Sequence, residues 1–449
     1  MKQTLLLLAL MLAVASPVAA EESAAARGYR LLTEKAYLPL DFDGETIETV
    51  WKTWPEPARG EAEKADAAER RRLIFERYGL TPRLDDETKP LQYVVDEQGG
   101  WTMNCFACHA GQVLGKTIPG LPNARYALET LTEETRETKL LQRKPLGRMD
   151  VGSLVMPLGT TNGTTNAVMF GVALMHFRDA DLNVKSGRGY PKMVHHDMDA
   201  PPWWHFKKKS HIYIDGFAEK GARGLMQFML IKENGPVKFR NWERDFEAVY
   251  AYLESLEAPK YPFALDEPLA KKGRVAFERV CSSCHGTYGA EETYPEKMVA
   301  INEIGTDRVR FDALSSQHRA AYGESWFAYF GKQDTLTKPA GYVAPPLDGI
   351  WASAPYLHNG SVPTLWHLLR PAERPVVWRR TSVEGYDQAK VGPEIETFEK
   401  LPAAAVEDHR LRREYFQTKA FGKSAAGHDF VDELTEEEKT AVLEYLKTL

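Results

Sequence analysis

The pattern Cys-x-x-Cys-His occurs twice in this chain, as Cys105-Phe106-Ala107-Cys108-His109 and as Cys281-Ser282-Ser283-Cys284-His285, and it uses all four cysteines. In such a pattern two thiols add across the vinyl groups of a haem, and the histidine that follows is set under the iron as its proximal ligand. Three other chemistries use paired cysteines. A redox dithiol of the thioredoxin type needs a βαβ context, which neither motif has. A structural zinc site would draw both pairs into one tetrahedron, but zinc gives no reason for a histidine directly after each pair. Two disulfides would be ordinary in an exported chain with four cysteines, yet no cysteine stands outside the motifs. The expected cofactors are therefore two covalently bound haem c groups, held by Cys105, Cys108 and His109 and by Cys281, Cys284 and His285.

The N-terminus supplies the compartment. Lys2, the apolar run Leu5 to Val14 and the small residues Val18-Ala19-Ala20 follow the order of a secretory signal peptide over residues 1–20. The run is shorter than the roughly 20 residues of a membrane span, and nothing later in the chain has comparable length and purity. An uncleaved N-terminal anchor is the alternative. The expected location is periplasmic or secreted, with no membrane span after cleavage. A net charge of −6 lacks the basic bias of a nucleic-acid binder.

Glu61 to Tyr78 is predicted as a helix stopped by Gly79 and Pro82, Ala124 to Leu141 as another, and Met149 to Ala167 as an ordered, irregular loop. Asn241 to Leu256 is predicted as a helix with Trp242, Phe246, Val249, Tyr250 and Leu253 on one side. Ala258-Pro259-Lys260-Tyr261-Pro262 breaks it and marks a boundary between an N-terminal haem 1 domain, 21–262, and a C-terminal haem 2 domain, 263–449. Pro268 to His285 reads as an amphipathic helix through Leu269, Val275, Phe277 and Val280. Its expected partner is a C-terminal helix capped by Thr435, with Val442, Leu443, Tyr445, Leu446 and Leu449 as contacts. No strand pattern stands out. The expected fold is mainly α: two cytochrome c-like haem domains with long loops.

Gly273 and Phe277 ahead of Cys281 resemble the first helix of class I cytochrome c domains. The paired motifs resemble the bacterial di-haem cytochrome c peroxidase superfamily, which includes the methylamine-utilisation di-haem enzyme and the haem-dependent rubber oxygenases. The stretch Ala354-Pro355-Tyr356-Leu357-His358-Asn359-Gly360, continued by Ser361-Val362-Pro363-Thr364-Leu365, looks like that superfamily's P-Y-x-H-[ND]-G segment. The longer form, together with Gly427-His428, is most similar to the rubber-oxygenase-like branch. Fold and branch do not fix a substrate.

What separates an electron wire from an enzyme is the sixth position on each iron. For haem 2 the resemblance makes His358 the leading distal ligand, with His367 the alternative and His428 a third choice; no methionine follows His358. For haem 1 no histidine lies between His109 and His176, which favours an open or aromatic-capped iron. The competing ligands are His195, His196, His205 and His211, which otherwise read as solvated. The superfamily uses an aromatic between its haems, and Trp203 or Trp204 is the candidate relay; wall packing against a porphyrin is the plainer reading. Arg223, Arg240 and Lys207 to Lys209 are candidates for the propionates, or a solvated face. Three functions remain open: a peroxidase- or oxygenase-like oxidoreductase with peroxide or oxygen as small oxidant, a di-haem carrier docking on a redox partner protein, and a haem-based sensor, for which no signalling domain is attached. A calcium ion between the domains and dimerisation are left open.

Overall fold

Helix Glu267–Val280 begins where the sequence says it should. The Asp266 carboxylate accepts the Leu269 N–H, a proline stands in the first turn and Glu267 faces the positive helix end. It crosses the C-terminal helix Glu436–Leu446, which opens with a capping box between Thr435 and Glu438. The crossing point is Gly273, where a Cβ would lie 1.9 Å from the Ala441 carbonyl oxygen, so only glycine permits this approach. Phe277 then packs on Tyr445, with ring centroids 5.2 Å apart.

The first half contains the same device. Helix Ala24–Glu34 crosses helix Pro236–Ser255 at Gly28, where a Cβ would lie 2.2 Å from the Ala248 carbonyl oxygen. Tyr29 and Tyr252 meet beside this crossing and both reach Phe106 of the first motif. In the second half the crossing helix runs almost directly into its motif. In the first, residues 35–104 intervene, with a three-stranded sheet and helices Ala58–Lys64 and Ala67–Tyr78 around Phe42, Trp54, Tyr78 and Trp101.

These observations come from a computed structural model that describes residues 22–187 and 189–449. The expected signal peptide, residues 1–20, lies outside them. Among the described residues no helix is long and apolar enough to cross a membrane.

The fold is mixed, 43% helix and 12% strand, rather than simply mainly α. Its named strands are two to four residues long, in sheets of two or three; such lengths cannot display a period-two pattern. Other expectations shift at their edges. The helix expected over Glu61 to Tyr78 is two helices, because Asp66 caps a new one by accepting the Glu69 N–H. Met149 to Ala167 is not all loop, since helix Arg148–Val155 occupies its start. The helix ahead of the second motif ends at Val280, and Ser282–His285 forms a separate turn. Val275 is 70% exposed; the buried face is Ala270, Gly273, Ala276 and Phe277.

The two halves interlock. Leu314, Tyr322, Trp326 and Phe327 belong to the core built around Phe106, Trp203 and Phe239, while Leu121 and Trp204 belong to the core around Phe277, Trp351 and Tyr445.

Candidate functional site

Each motif closes into a single helical turn, Phe106–His109 and Ser282–His285. Asn104 starts the first by accepting the Phe106 N–H. The ring of His109 then bonds through Nδ1 to the Pro201 carbonyl at 3.1 Å, and the ring of His285 through Nδ1 to the Pro345 carbonyl at 2.8 Å. A carbonyl can only accept, so Nδ1 carries the proton in both and Nε2 keeps its lone pair, the tautomer a metal ligand needs. Burial holds both rings neutral, pushing His109 down to about 4 and His285 downward from the usual range.

The two accepting prolines stand in one repeated sequence, Ala200-Pro201-Pro202 and Ala344-Pro345-Pro346. The hydrogen bonding repeats as well, with different groups. At the first site Gly120 donates its N–H to the His109 carbonyl (2.7 Å) and accepts from the Trp203 N–H (2.9 Å). At the second the Tyr288 hydroxyl donates to the His285 carbonyl (3.1 Å) and accepts from the Leu347 N–H (2.6 Å). A backbone peptide in one half and a phenol in the other tie the histidine to the residue after its proline pair.

Trp203 and Trp204 divide between the halves. Trp203 stacks on His109, centroids 4.7 Å apart and planes at 22°. Trp204, 1% exposed, sends its indole N–H to the Asp348 carbonyl at 2.7 Å, and the His205 Nε2–H joins it there at 2.9 Å. Lys208 pairs with the Asp348 carboxylate at 2.7 Å. Asp348 lies three residues past Pro345, so the loop under the first histidine is latched to the loop under the second, with the Trp204 ring between.

The thiols carry the chemistry that thioether formation needs. All four are free, with Cys105 exposed and the others partly so, yet they lie among enough protein that burial pushes Cys105 up to about 11 and Cys108 and Cys281 to about 12. Among the described residues no three His, Cys, Asp or Glu side chains converge as a metal site would need.

The two motif histidines have different ring neighbours. Beside His285 stands His428, with ring centroids 6.2 Å apart. Two imidazoles sharing one metal at about 2.0–2.1 Å per bond, with about 1.1 Å more from nitrogen to ring centre, have centroids about 6.3 Å apart. The separation therefore fits an iron between them. His428 is held with φ 60° by its N–H on the Ile304 carbonyl (2.7 Å), and Arg374 binds the Gly427 carbonyl (2.7 Å). Burial, then the neighbouring His285, pushes His428 down to about 3, and its Nδ1 is buried without a partner.

His358, the first choice from the sequence, has no ring contact with His285 among the described residues. Its ring packs on Tyr342 at 4.8 Å, and burial, then Arg310 and His196, push it down to about 3. His367 is engaged with the Thr364 hydroxyl at 2.7 Å.

Around His109 the ring contact found among the described residues is Trp203. The four competing histidines are each bonded to protein: His195 to Asp197 and Asn166, His196 to the Val194 carbonyl, His205 to Asp348 and His211 to Ser210. His196 and His205 are buried rather than solvated. Four of the five suggested propionate partners are also engaged, the exception being Lys209, whose pKa burial lowers. Arg223 pairs with Glu243, Arg240 with Asp181, Lys207 with Glu257 and Lys208 with Asp348.

Comparison with known proteins finds a match within the second half. Residues 341–379, which contain Pro345, Asp348 and His358, match the family described as RoxA-like, cytochrome c-like. The chain thus carries a cytochrome c-like domain, which implies covalently bound haem c. It is similar to two proteins of Sinorhizobium fredii (strain NBRC 101917 / NGR234), the uncharacterized proteins y4iM and y4iJ. Identity to the first is 33% over 205 residues, covering 40% of this chain and 45% of the relative. Identity to the second is 40% over 260 residues, covering 43% of this chain and 41% of the relative. The chain therefore spans less than half the length of either relative.

Proposed function

We propose that this chain is an exported di-haem c-type cytochrome with oxidoreductase activity, in which the first haem meets peroxide or oxygen and the second transfers electrons. The observation that carries the reading is the asymmetry of the axial positions: His285 is faced by a second imidazole at 6.2 Å, whereas the ring against His109 is Trp203, stacked on the imidazole itself. A haem c on each motif supplies an iron that cycles between ferric and ferrous states and, where its sixth position is free, binds small oxidants.

The chain's own residues support both halves of this assignment. The Pro201 and Pro345 carbonyls orient the two imidazoles and raise their donor strength through Nδ1. His428 closes the second site, favouring electron storage and transfer over ligand binding. Trp204, anchored on Asp348 between the two histidine loops, is suited to relay electrons from one half to the other. The repeated helix crossings at Gly28 and Gly273 support a haem domain in each half. The leader over residues 1–20 and the covalent attachment support a periplasmic location, and a redox partner protein would reload the second haem.

The test is to mix the half-reduced holoprotein with hydrogen peroxide, and separately with oxygen, following the Soret band by stopped flow. Rapid spectral change confined to one haem is expected with one of the two oxidants. Inertness to both would contradict the enzyme reading and leave a di-haem electron carrier.

A further inference from the structure

Behind Tyr342 lies a buried charge cluster that does not balance. Asp215 is fully buried and shared by two buried arginines, with Arg319 at 2.7 Å and Arg310 at 3.4 Å; the side chains are 0%, 4% and 1% exposed. Arg319 spends its donors on Asp215 and on the Leu314 carbonyl. Arg310 reaches the carboxylate through Nη1 alone, and its Nε and Nη2 are buried with no partner. The nearby histidines bring no negative charge: His196 and His358 are neutral, each held down partly by Arg310 itself. Two cations thus share one anion in the interior, with two adjacent guanidinium N–H groups and the second Asp215 oxygen unspent. Buried charge is tolerated when paired and hydrogen-bonded, and strongly unfavourable otherwise. The missing partner is an anion with two acceptor oxygens, since Nε and Nη2 form the fork that binds a carboxylate bidentately.

The position of Arg310 identifies the source. Helix Val309–Ala313, which carries it, follows Ile304, whose carbonyl fixes the His428 backbone. The adjacent Phe311 packs on Tyr342, three residues before Pro345, whose carbonyl orients His285. Arg310 itself lies beside Tyr342, His358 and His196, on the segment between the His428 anchor at Ile304 and the wall that carries Pro345. We propose that Arg310, through Nε and Nη2, holds a propionate carboxylate of the second haem, and that this carboxylate completes the Asp215–Arg310–Arg319 cluster. The assignment rests on haem attachment at the second motif. It makes Arg310 a positioning residue that also tunes the second iron, because a fixed cation at its edge disfavours the ferric state.

The experiment is a potentiometric titration of the haem-loaded protein, resolving both haems, with Arg310→Gln, Arg310→Lys and Arg319→Lys. Loading of each motif is checked first by mass. In Arg310→Gln the second haem is expected to favour the ferric form about tenfold more, a fall of about 59 mV for one electron, with the first haem unmoved. Arg310→Lys restores most of the potential, and Arg319→Lys, whose donors are already spent, leaves it in place. Should Arg310→Gln fail to fold, the redox-difference infrared spectrum of Arg310→Lys carries the test. Its propionate carboxylate band is expected to shift, because a lysine cannot form the fork, and an unmoved band overturns the assignment. An unchanged second potential in loaded Arg310→Gln, a shift confined to the first haem, or a potential that responds only to added acetate overturns it too. A chain with no haem on Cys281 and Cys284 overturns the proposed function and this inference together.

Discussion

Replacing Gly273 by alanine adds one methyl group at the point where the helix leading to the second motif crosses the C-terminal helix. The new Cβ would lie 1.9 Å from the Ala441 carbonyl oxygen, 2.4 Å from its carbon and 2.9 Å from the Val442 nitrogen. Ordinary contact begins at 3.4 Å, so the helices must part by about 1.5 Å, and the opposing atoms are backbone with no rotamer to give way. Overpacking of this kind costs about 1–3 kcal/mol, here at the upper end, while the helix preference of alanine over glycine returns about 1 kcal/mol. The expected net loss is about 2 kcal/mol. Gly152→Ala is the internal control, because it sits within helix Arg148–Val155 with nothing inside 4 Å and should gain about 0.5–1 kcal/mol. Guanidinium unfolding of the haem-loaded proteins, followed by far-ultraviolet circular dichroism and the Soret band, measures both. If Gly273→Ala proves as stable as Gly152→Ala, the close crossing is not a feature of the folded protein.

Tyr288→Phe removes the hydroxyl that joins the His285 carbonyl to the Leu347 N–H; a stability loss of about 1–3 kcal/mol is expected from the stranded groups, read by the same unfolding curves. Trp204→Phe keeps a ring but loses the bond to Asp348, whose carbonyl retains His205; inter-haem electron transfer after flash reduction should slow, with the spin states of both irons unchanged. Asp41, raised to about 6 by burial, binds its proton more tightly folded than unfolded. It therefore contributes stability at low pH that is lost as pH rises through about 6. Asp41→Asn should flatten that slope between about pH 4 and 7, measured as thermal stability against pH.

What the sequence made legible was local. The motifs and the Thr435 cap act over three or four residues, and the cap is found where its chemistry puts it. The Asp66 break could have been read too, since Asp66 and Glu69 stand at capping-box spacing. The repeated Ala-Pro-Pro was also in view, but its meaning depends on a carbonyl reaching a histidine 92 residues away in one half and 60 in the other. His428 ranked below His358 for the same reason. Its place beside His285 goes with approaches between distant segments, such as Gly427 against Gly305, which no local pattern announces. Arg310 looks in sequence like one more charge on a short surface helix, and only burial gives it significance.

The asymmetry of the two axial positions is most directly tested by low-temperature electron paramagnetic resonance of the holoprotein, fully ferric and after one-electron reduction. The account predicts a low-spin signal from the His285–His428 iron, lost or turned high-spin in His428→Ala, and a high-spin ferric signal from the His109 iron in at least one of the two states. Two low-spin irons in both states would contradict it, as would a His428→Ala protein whose low-spin signal is unchanged.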